Sequence, residues 1–263
     1  MKNKTQDCFV LIRGLIRESR HWGDFTDELC RTFPDMPVLT PDIPGNGKLF
    51  KQSSPRSIAA MTDALRKRLG YPANIHLIAI SMGGMIAIDW MQRYPQEIRS
   101  AVLINTSVRP LAPFYQRLRW QVYPAIFKLL LQKPDNREHS ILKLTANLKR
   151  NAPDILRQWR QWQHQCPVSP ANASNQLYAA ARFKIGKQKP AIPILVVCSQ
   201  ADRLVDYRCS LALQHHWHTD YRQHPTAGHD LPLDDPTWLT ETIRDWQHHQ
   251  NSTNFNPDIR LTY

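Results

Sequence analysis

One segment, Ile75 to Gly84, narrows what this chain can become more than any other. Ile75 to Ile80 is an apolar run of strand length, and it stops abruptly at Ser81. Two glycines follow at Gly83 and Gly84, then the helical pattern Met85 to Met91. A serine on so sharp a strand-to-helix turn is forced into strained backbone geometry with its hydroxyl lifted above the sheet. The turn closes only if the residues two before and two after it are small, and here they are Ala79 and Gly83. The pattern is therefore small-x-Ser-x-Gly, which arises often by chance. Its meaning depends on the rest of the chain.

At 263 residues with 42% hydrophobic content, the chain suits one large α/β domain, or a core domain with an inserted subdomain. No window approaches the ~18 consecutive apolar residues of a membrane span. The opening Met1 to Asp7 is polar and lacks the apolar centre of a secretory leader. The five cysteines (Cys8, Cys30, Cys166, Cys198, Cys209) are scattered without C-x-x-C spacing. Cys8 and Cys198 lie within strand patterns, where a free thiol is a small hydrophobe. Together these features predict a cytoplasmic protein.

Apolar runs alternate with helical patterns along the first half. Strands are predicted at Cys8 to Ile12, Pro37 to Thr40, Ile75 to Ile80 and Ala101 to Ile104. Helices are predicted at His21 to Phe33, at Ile58 to Leu69 behind the cap Ser57, and after Ser81 to about Tyr94. Continuous apolar strands alternating with helices are the signature of a parallel sheet covered on both faces. The rhythm breaks at Pro110. Up to Lys189 there are helical patterns without a clear strand, among them Tyr115 to Leu131, Ser140 to Arg150 and Pro153 to Gln165. It resumes with a strand at Ile192 to Cys198, a helix at Tyr207 to Trp217, a weaker strand near Tyr221 to His224 and a last helix, Pro236 to His248. A polar, loose tail is expected after Asn251.

Two polar clusters follow strands in the second half: Ser199 to Asp206, and Ala227 to Asp230. In a parallel sheet the carboxyl ends of strands converge on one edge, where ligands bind. Ser81, Asp202 and His229 all fall there, in the order Ser, Asp, His. A serine hydroxyl is a poor nucleophile until an imidazole takes its proton, and the imidazole needs a carboxylate to fix its tautomer. With eleven histidines a single chance match is easy; three matches at three strand ends are much less so.

In these residues the chain resembles the α/β-hydrolase superfamily over nearly its whole length. The resemblance rests on Leu11 to Gly14, Asp42 to Gly47, Ala79 to Gly84, Asp202 to Val205 and Gly228-His229. Of nine glycines, six (Gly14, Gly45, Gly47, Gly83, Gly84, Gly228) lie in these motifs. The resemblance implies Ser81 as nucleophile, Asp202 as acid and His229 as base, with Asp206 the alternative acid. It also implies an oxyanion hole from the backbone N–H groups of Leu15 and Met82, and no metal or other cofactor. The sequence departs from the family where Arg13 stands in place of the usual His, where Ala79 opens the elbow, and in beginning almost at the oxyanion strand, so that a leading hairpin is expected to be missing or reduced. Arg13, with Arg17 and Arg20, either places positive charge near the acyl pocket, inviting an anionic substrate, or points to solvent or pairs with local acids such as Glu18.

The resemblance divides the chain into a core, residues 1–109 and 190–263, and a helical cap, residues 110–189. Trp120, Tyr123, Phe127, Trp159 and Trp162 are expected to form mostly the cap's packing core. From Pro110 to Pro190 there are fourteen Lys or Arg against three acids, nearly the whole of the chain's net +12. That charge is read either as a solvated surface or as a docking face for an acidic acyl carrier protein. The latter resembles, at the level of architecture, the pimeloyl-acyl-carrier-protein methyl ester esterases. Arg13 and Trp22, with Arg117, Arg119, Arg157 and Arg160, are the candidate contacts for substrate or partner. The expected activity is hydrolysis of a carboxylic ester or thioester, with lactone and C–C hydrolysis and peroxidase side activity open. A serine nucleophile argues against the haloalkane dehalogenase and epoxide hydrolase branches, which need Asp there. The competing expectation is an idle binding module gripping an acidic partner. The sequence shows no nucleic-acid motif.

Overall fold

A computed structural model describes residues 6–132 and 134–255. The leader reading of residues 1–5 and the end of the tail, 256–263, lie outside the described residues. Six strands, β1 (Cys8–Ile12), β2 (Val38–Leu39), β3 (Ile75–Ile80), β4 (Ile98–Ile104), β5 (Ile194–Ser199) and β6 (Asp220–His224), form one sheet in the order β2-β1-β3-β4-β5-β6. Every pairing is parallel.

The strands are apolar on both sides, and the sheet shows why. In β1, Cys8, Val10 and Ile12 face α2 (Ile58–Arg68), α3 (Met82–Arg93) and α9 (Arg208–Trp217). Phe9 and Leu11 face α1 (Asp24–Thr32) and α11 (Pro236–Phe255) instead. Each such side chain removed from water stabilises by about 1.5–3 kcal/mol. Burial on both faces rewards uninterrupted Val, Ile and Leu. Ser57 starts α2 as expected, its Oγ accepting from the Ala60 N–H at 3.2 Å.

Between β4 and β5 the chain makes α4 (Phe114–Arg117), α5 (Tyr123–Leu131), α6 (Pro134–Thr145), α7 (Pro153–Gln165) and α8 (Pro170–Arg182), with a single 3₁₀ turn at Trp120–Val122. A short α10 (Leu231–Asp234) precedes α11. Several expected elements differ. His21 to Phe33 divides into a 3₁₀ turn, Ser19–Trp22, and α1, because Gly23 takes φ 54° between them. Tyr115 to Leu131 is likewise broken. The expected Ser140 to Arg150 helix lies earlier, as α6, and α11 runs seven residues past His248. The expected packing core holds only at Trp159, which is buried with Trp162 packed beside it; Trp120, Tyr123 and Phe127 are exposed.

The inserted helices are fastened by polar contacts to the loops after β1 and β2 and to α10. Gln176 of α8, fully buried, accepts from the Ile16 N–H at 2.9 Å and donates to Asn46 Oδ1 and Ser54 Oγ. Asn172, one turn earlier, accepts from the Ser54 N–H. Asp234 of α10 accepts from the N–H groups of Asn147, Leu148 and Lys149.

Candidate active site

The chain runs outward from β1 to β2 and returns to place β3 on the other side of β1, so the sheet reverses direction between β1 and β3. Crevices form at such reversals, above the carboxyl ends of the strands. Ser81 lies there, at φ 58° and ψ −122°. Ile16, after β1, and Asn105, after β4, also hold positive φ, at 52° and 46°. Positive φ is costly for any residue with a Cβ, most of all for a β-branched one such as Ile16, and such strain gathers at functional sites.

Close approach explains the glycines around Ser81. A Cβ on Gly83 would overlap the carbonyl oxygen of Ile12, and one on Gly84 the side chain of Thr106. Gly14 lies against the nucleophile candidate, where a Cβ would sit 3.1 Å from that of Ser81. The loop after β1 is thereby brought beside the elbow. Met82 is the first residue of α3, so its N–H has no intrahelical acceptor. The Leu15 N–H also donates to no protein group among the described residues, whereas its neighbour Ile16 donates to Gln176.

Asp202 and His229 meet. His229 Nδ1 and Asp202 Oδ2 are 2.7 Å apart, with the residues 6% and 1% exposed. The other carboxylate oxygen accepts from the N–H groups of Leu204 and Val205, at 2.7 and 3.0 Å. Asp206 is engaged elsewhere, accepting from the Arg208 N–H at the start of α9. Burial of the His229 ring disfavours its charged form, but the Asp202 carboxylate outweighs it and the pKa rises. The Asp230 carboxylate pushes in the same direction and the Arg13 guanidinium against it. Ser81 Oγ makes no hydrogen bond among the described residues, to His229 or to any other group. In substrate-free sites such bonds are often long and tighten only around bound substrate.

Sequence reasoning missed the residues that hold this arrangement. Asn105 Nδ2 donates to the His229 carbonyl at 2.8 Å, while its Oδ1 accepts from the Ser199 N–H at 2.8 Å. It thus ties the ends of β4 and β5 to the histidine loop. Its one sequence signal was its place directly after the apolar β4 run. Asp230 forms a two-bond ion pair with Arg13, at 3.0 and 2.7 Å. Arg13, only 6% exposed, also stacks over Trp22, 4.9 Å from the ring centre. Arg13 is therefore neutralised, by a residue 217 positions away rather than by a local acid. Trp22 is fully buried in the sheet's core and has no surface for a substrate.

Arg17 pairs with Glu138 of α6 at 2.8 Å and stacks over Trp159 at 4.3 Å. Arg20 pairs with Glu18, the local partner the sequence offered. His21 packs edge-on against Trp159 and Trp162; its burial, with Arg17 and Arg13 nearby, pushes its pKa well down. A cavity of about 100 Å³ beside these rings is lined by Arg20, His21, Trp159 and Trp162, and Ser81 is not among its walls. The other arginines divide. Arg117 donates to the Ala180 carbonyl and Arg119 to the Asp202 carbonyl, so both guanidiniums brace the protein itself. Arg157 is 78% exposed beside Asp154, and Arg160 is half-buried.

Burial pushes the Cys198 thiol up to about 11 and the Cys209 thiol up to about 12, so neither supplies a thiolate nucleophile. The described residues contain no cluster of three metal-ligating side chains. No helix among them is long and apolar enough to cross a membrane.

A parallel sheet with a serine elbow after β3 and an Asp–His pair after β5 and β6 defines a class, and comparison with known proteins agrees. The chain belongs to the alpha/beta hydrolase family, whose sequence profile matches residues 9–242. It is 25% identical over 264 residues to the biotin biosynthesis bifunctional protein BioHC of Cellvibrio japonicus, covering 92% of this chain and 48% of the relative. The chain thus spans about half the length of that curated relative. A thermophilic esterase from Thermogutta terrifontis superposes with a TM-score of 0.70 at 22% identity, covering 93% of this chain and 90% of the esterase. An esterase from a Rhodococcus species does so with a TM-score of 0.73 at 16% identity, covering 93% and 91%. At these identities the likeness is one of fold.

Proposed function

We propose that this chain is a serine hydrolase that cleaves a carboxylic ester or thioester through an acyl-enzyme. The observation that carries the reading is the buried Asp202–His229 bond at the same sheet edge as a strained Ser81. In the first half-reaction Ser81 Oγ attacks the acyl carbon while His229 Nε2 takes its proton. Asp202 fixes the ring with Nδ1 as donor and stabilises the imidazolium without becoming protonated itself. The tetrahedral oxyanion is held by the N–H groups of Leu15 and Met82. It collapses as His229 returns the proton to the departing alcohol or thiol. Water then enters, loses a proton to His229 and attacks the acyl-enzyme, releasing acid and restoring Ser81.

The finer reading is that the inserted helices act as a cap whose basic surface receives an acidic acyl carrier. Support comes from the charge of the segment and from Lys143, Lys149, Arg150 and Arg157, which are exposed, rather than from Arg117 and Arg119. A docking charge acts on encounter and orientation, not on the chemical step. Changing Lys149, Arg150 and Arg157 to Glu should raise KM for a carrier-linked acyl ester and leave a small neutral ester unaffected. Added salt should do the same to the native enzyme, since screening shortens to ~8 Å at physiological ionic strength. Equal responses for the two substrates would remove the carrier and leave a small-ester hydrolase.

A further inference from the structure

Three of the aromatic side chains expected to pack inside the inserted helices, Trp120, Tyr123 and Phe127, are exposed instead, and Phe114 and Tyr115 beside them in sequence are exposed as well. Phe114, Tyr115, Trp120, Tyr123 and Phe127 are 73%, 49%, 62%, 39% and 66% exposed. They are half of the ten large hydrophobic side chains that the described residues expose, gathered into one short run of chain. Phe114 and Tyr115 meet each other edge-to-face at 5.7 Å. Single exposed apolar residues are ordinary, but a concentration of this kind marks an interaction surface.

The run is held open. The Arg119 N–H donates to the Leu204 carbonyl at 2.9 Å, and the Asp206 N–H to the Gln116 carbonyl at 2.9 Å. The side chains of Arg117 and Arg119 add bonds to Ala180 and Asp202. The backbone from Gln116 to Arg119 is thus fixed on the loop that carries Asp202, while the rings on either side of it remain outside. Residues 98–134 contain no acidic residue, exposed Lys128 follows Phe127 directly, and the two acids that the loop contacts bring close, Asp202 and Asp206, are buried.

We propose that this face docks on an anionic lipid bilayer, lying in its surface without spanning it. Trp and Tyr carry an apolar body and a polar tip suited to the headgroup level, and Phe suits the acyl boundary beneath. An exposed base such as Lys128, with the nearby acids buried, is attracted to anionic headgroups. A second copy fits less well, since a symmetric pairing sets two faces with no exposed acid in the run, each carrying Lys128, against each other. An acidic protein would satisfy the charge but leave the most exposed rings, Phe114 and Phe127, opposite carboxylates. The docking itself does not rest on the proposed hydrolysis. If that reading also holds, the bilayer lies beside the loop of the catalytic acid and substrates arrive from lipid.

The full chain is to be mixed with extruded vesicles of phosphatidylcholine, with and without phosphatidylglycerol, and sedimented at low and physiological salt. The expected result is binding to the phosphatidylglycerol vesicles that weakens with salt. It should fall by about tenfold or more in Phe114→Ser/Trp120→Ser/Phe127→Ser. Brominated lipid should quench fluorescence of the native chain, and that component should vanish in Trp120→Phe. Unchanged circular dichroism in the triple variant separates lost docking from lost fold. Absence of binding by the native chain overturns the proposal. Binding that the triple variant retains also overturns it, by assigning the attraction to charge alone. So does a native dimer in light scattering that the triple variant abolishes.

Discussion

The carboxyl edge of the sheet and the inserted helices treat the same residue types in opposite ways. At the edge, arginines are buried and paired: Arg13 with Asp230 and Arg17 with Glu138, each under 10% exposed. In the insertion, aromatic rings are exposed among basic residues that have few acids to meet. The edge is rigid because parallel strands fix it from below, whereas the helices above are free to present whatever surface they carry. Strain at Ile16, Ser81 and Asn105 is sustained by that rigid base.

The largest expected effect separates chemistry from packing at the edge. Ser81→Ala should lower kcat for a small ester by at least about 10⁴-fold, because in the proposed reaction the half-buried hydroxyl is the nucleophile, and it contributes little packing. Melting should be nearly unchanged. Asp202→Asn should cost ~10³–10⁴ in kcat through the wrong imidazole tautomer, and Asp206→Asn only a few-fold. The reverse ranking would move the acid to Asp206 despite its bonds to Arg208.

Next comes the buried pair. Removing one partner leaves an uncompensated charge, so Arg13→Met or Asp230→Asn should each destabilise by about 3–5 kcal/mol in denaturant titration. The double variant should cost less than the sum of the two. Additive costs would mean that the pair does not act as a unit. These variants should also move the pH profile in opposite directions. His229 accepts a proton only when neutral, and its pKa is raised. The rise of kcat/KM with pH should therefore centre above the ordinary histidine value of about 6.5. Asp230→Asn removes a charge favouring the cation and should shift that limb to lower pH; Arg13→Met should shift it higher. Parallel shifts would contradict the assignment of the limb to His229. At the other end of the comparison, Phe127→Ser in the exposed run should change stability by no more than about 0.5 kcal/mol. A larger loss would place that ring in a core.

How much of this was legible follows the same division. The bounds of β3, Ile75–Ile80, match the reading because a central strand buried on both faces must be apolar at every residue. The expected strand at Pro37 to Thr40 shrank to Val38–Leu39, because β2 is an edge strand with Leu39 36% exposed. Helix α8 went unnamed for a different reason. Its buried face carries Asn172 and Gln176, so an apolar periodicity could not reveal it. Asp230 was quoted only as a neighbour of His229, since its partner Arg13 is distant in sequence and pairing across such a span has no local signature. Trp120, Tyr123 and Phe127 were misread because a helical aromatic stripe looks the same whether it meets a core or solvent.

The most direct measurement is intact-mass and peptide-mapping spectrometry of the chain after exposure to a fluorophosphonate. Rapid single labelling on Ser81 is expected, absent in Ser81→Ala and strongly slowed in His229→Ala and Asp202→Asn. No adduct on Ser81, or labelling there that is indifferent to His229, would contradict an activated serine at this edge and leave the fold as a binding module.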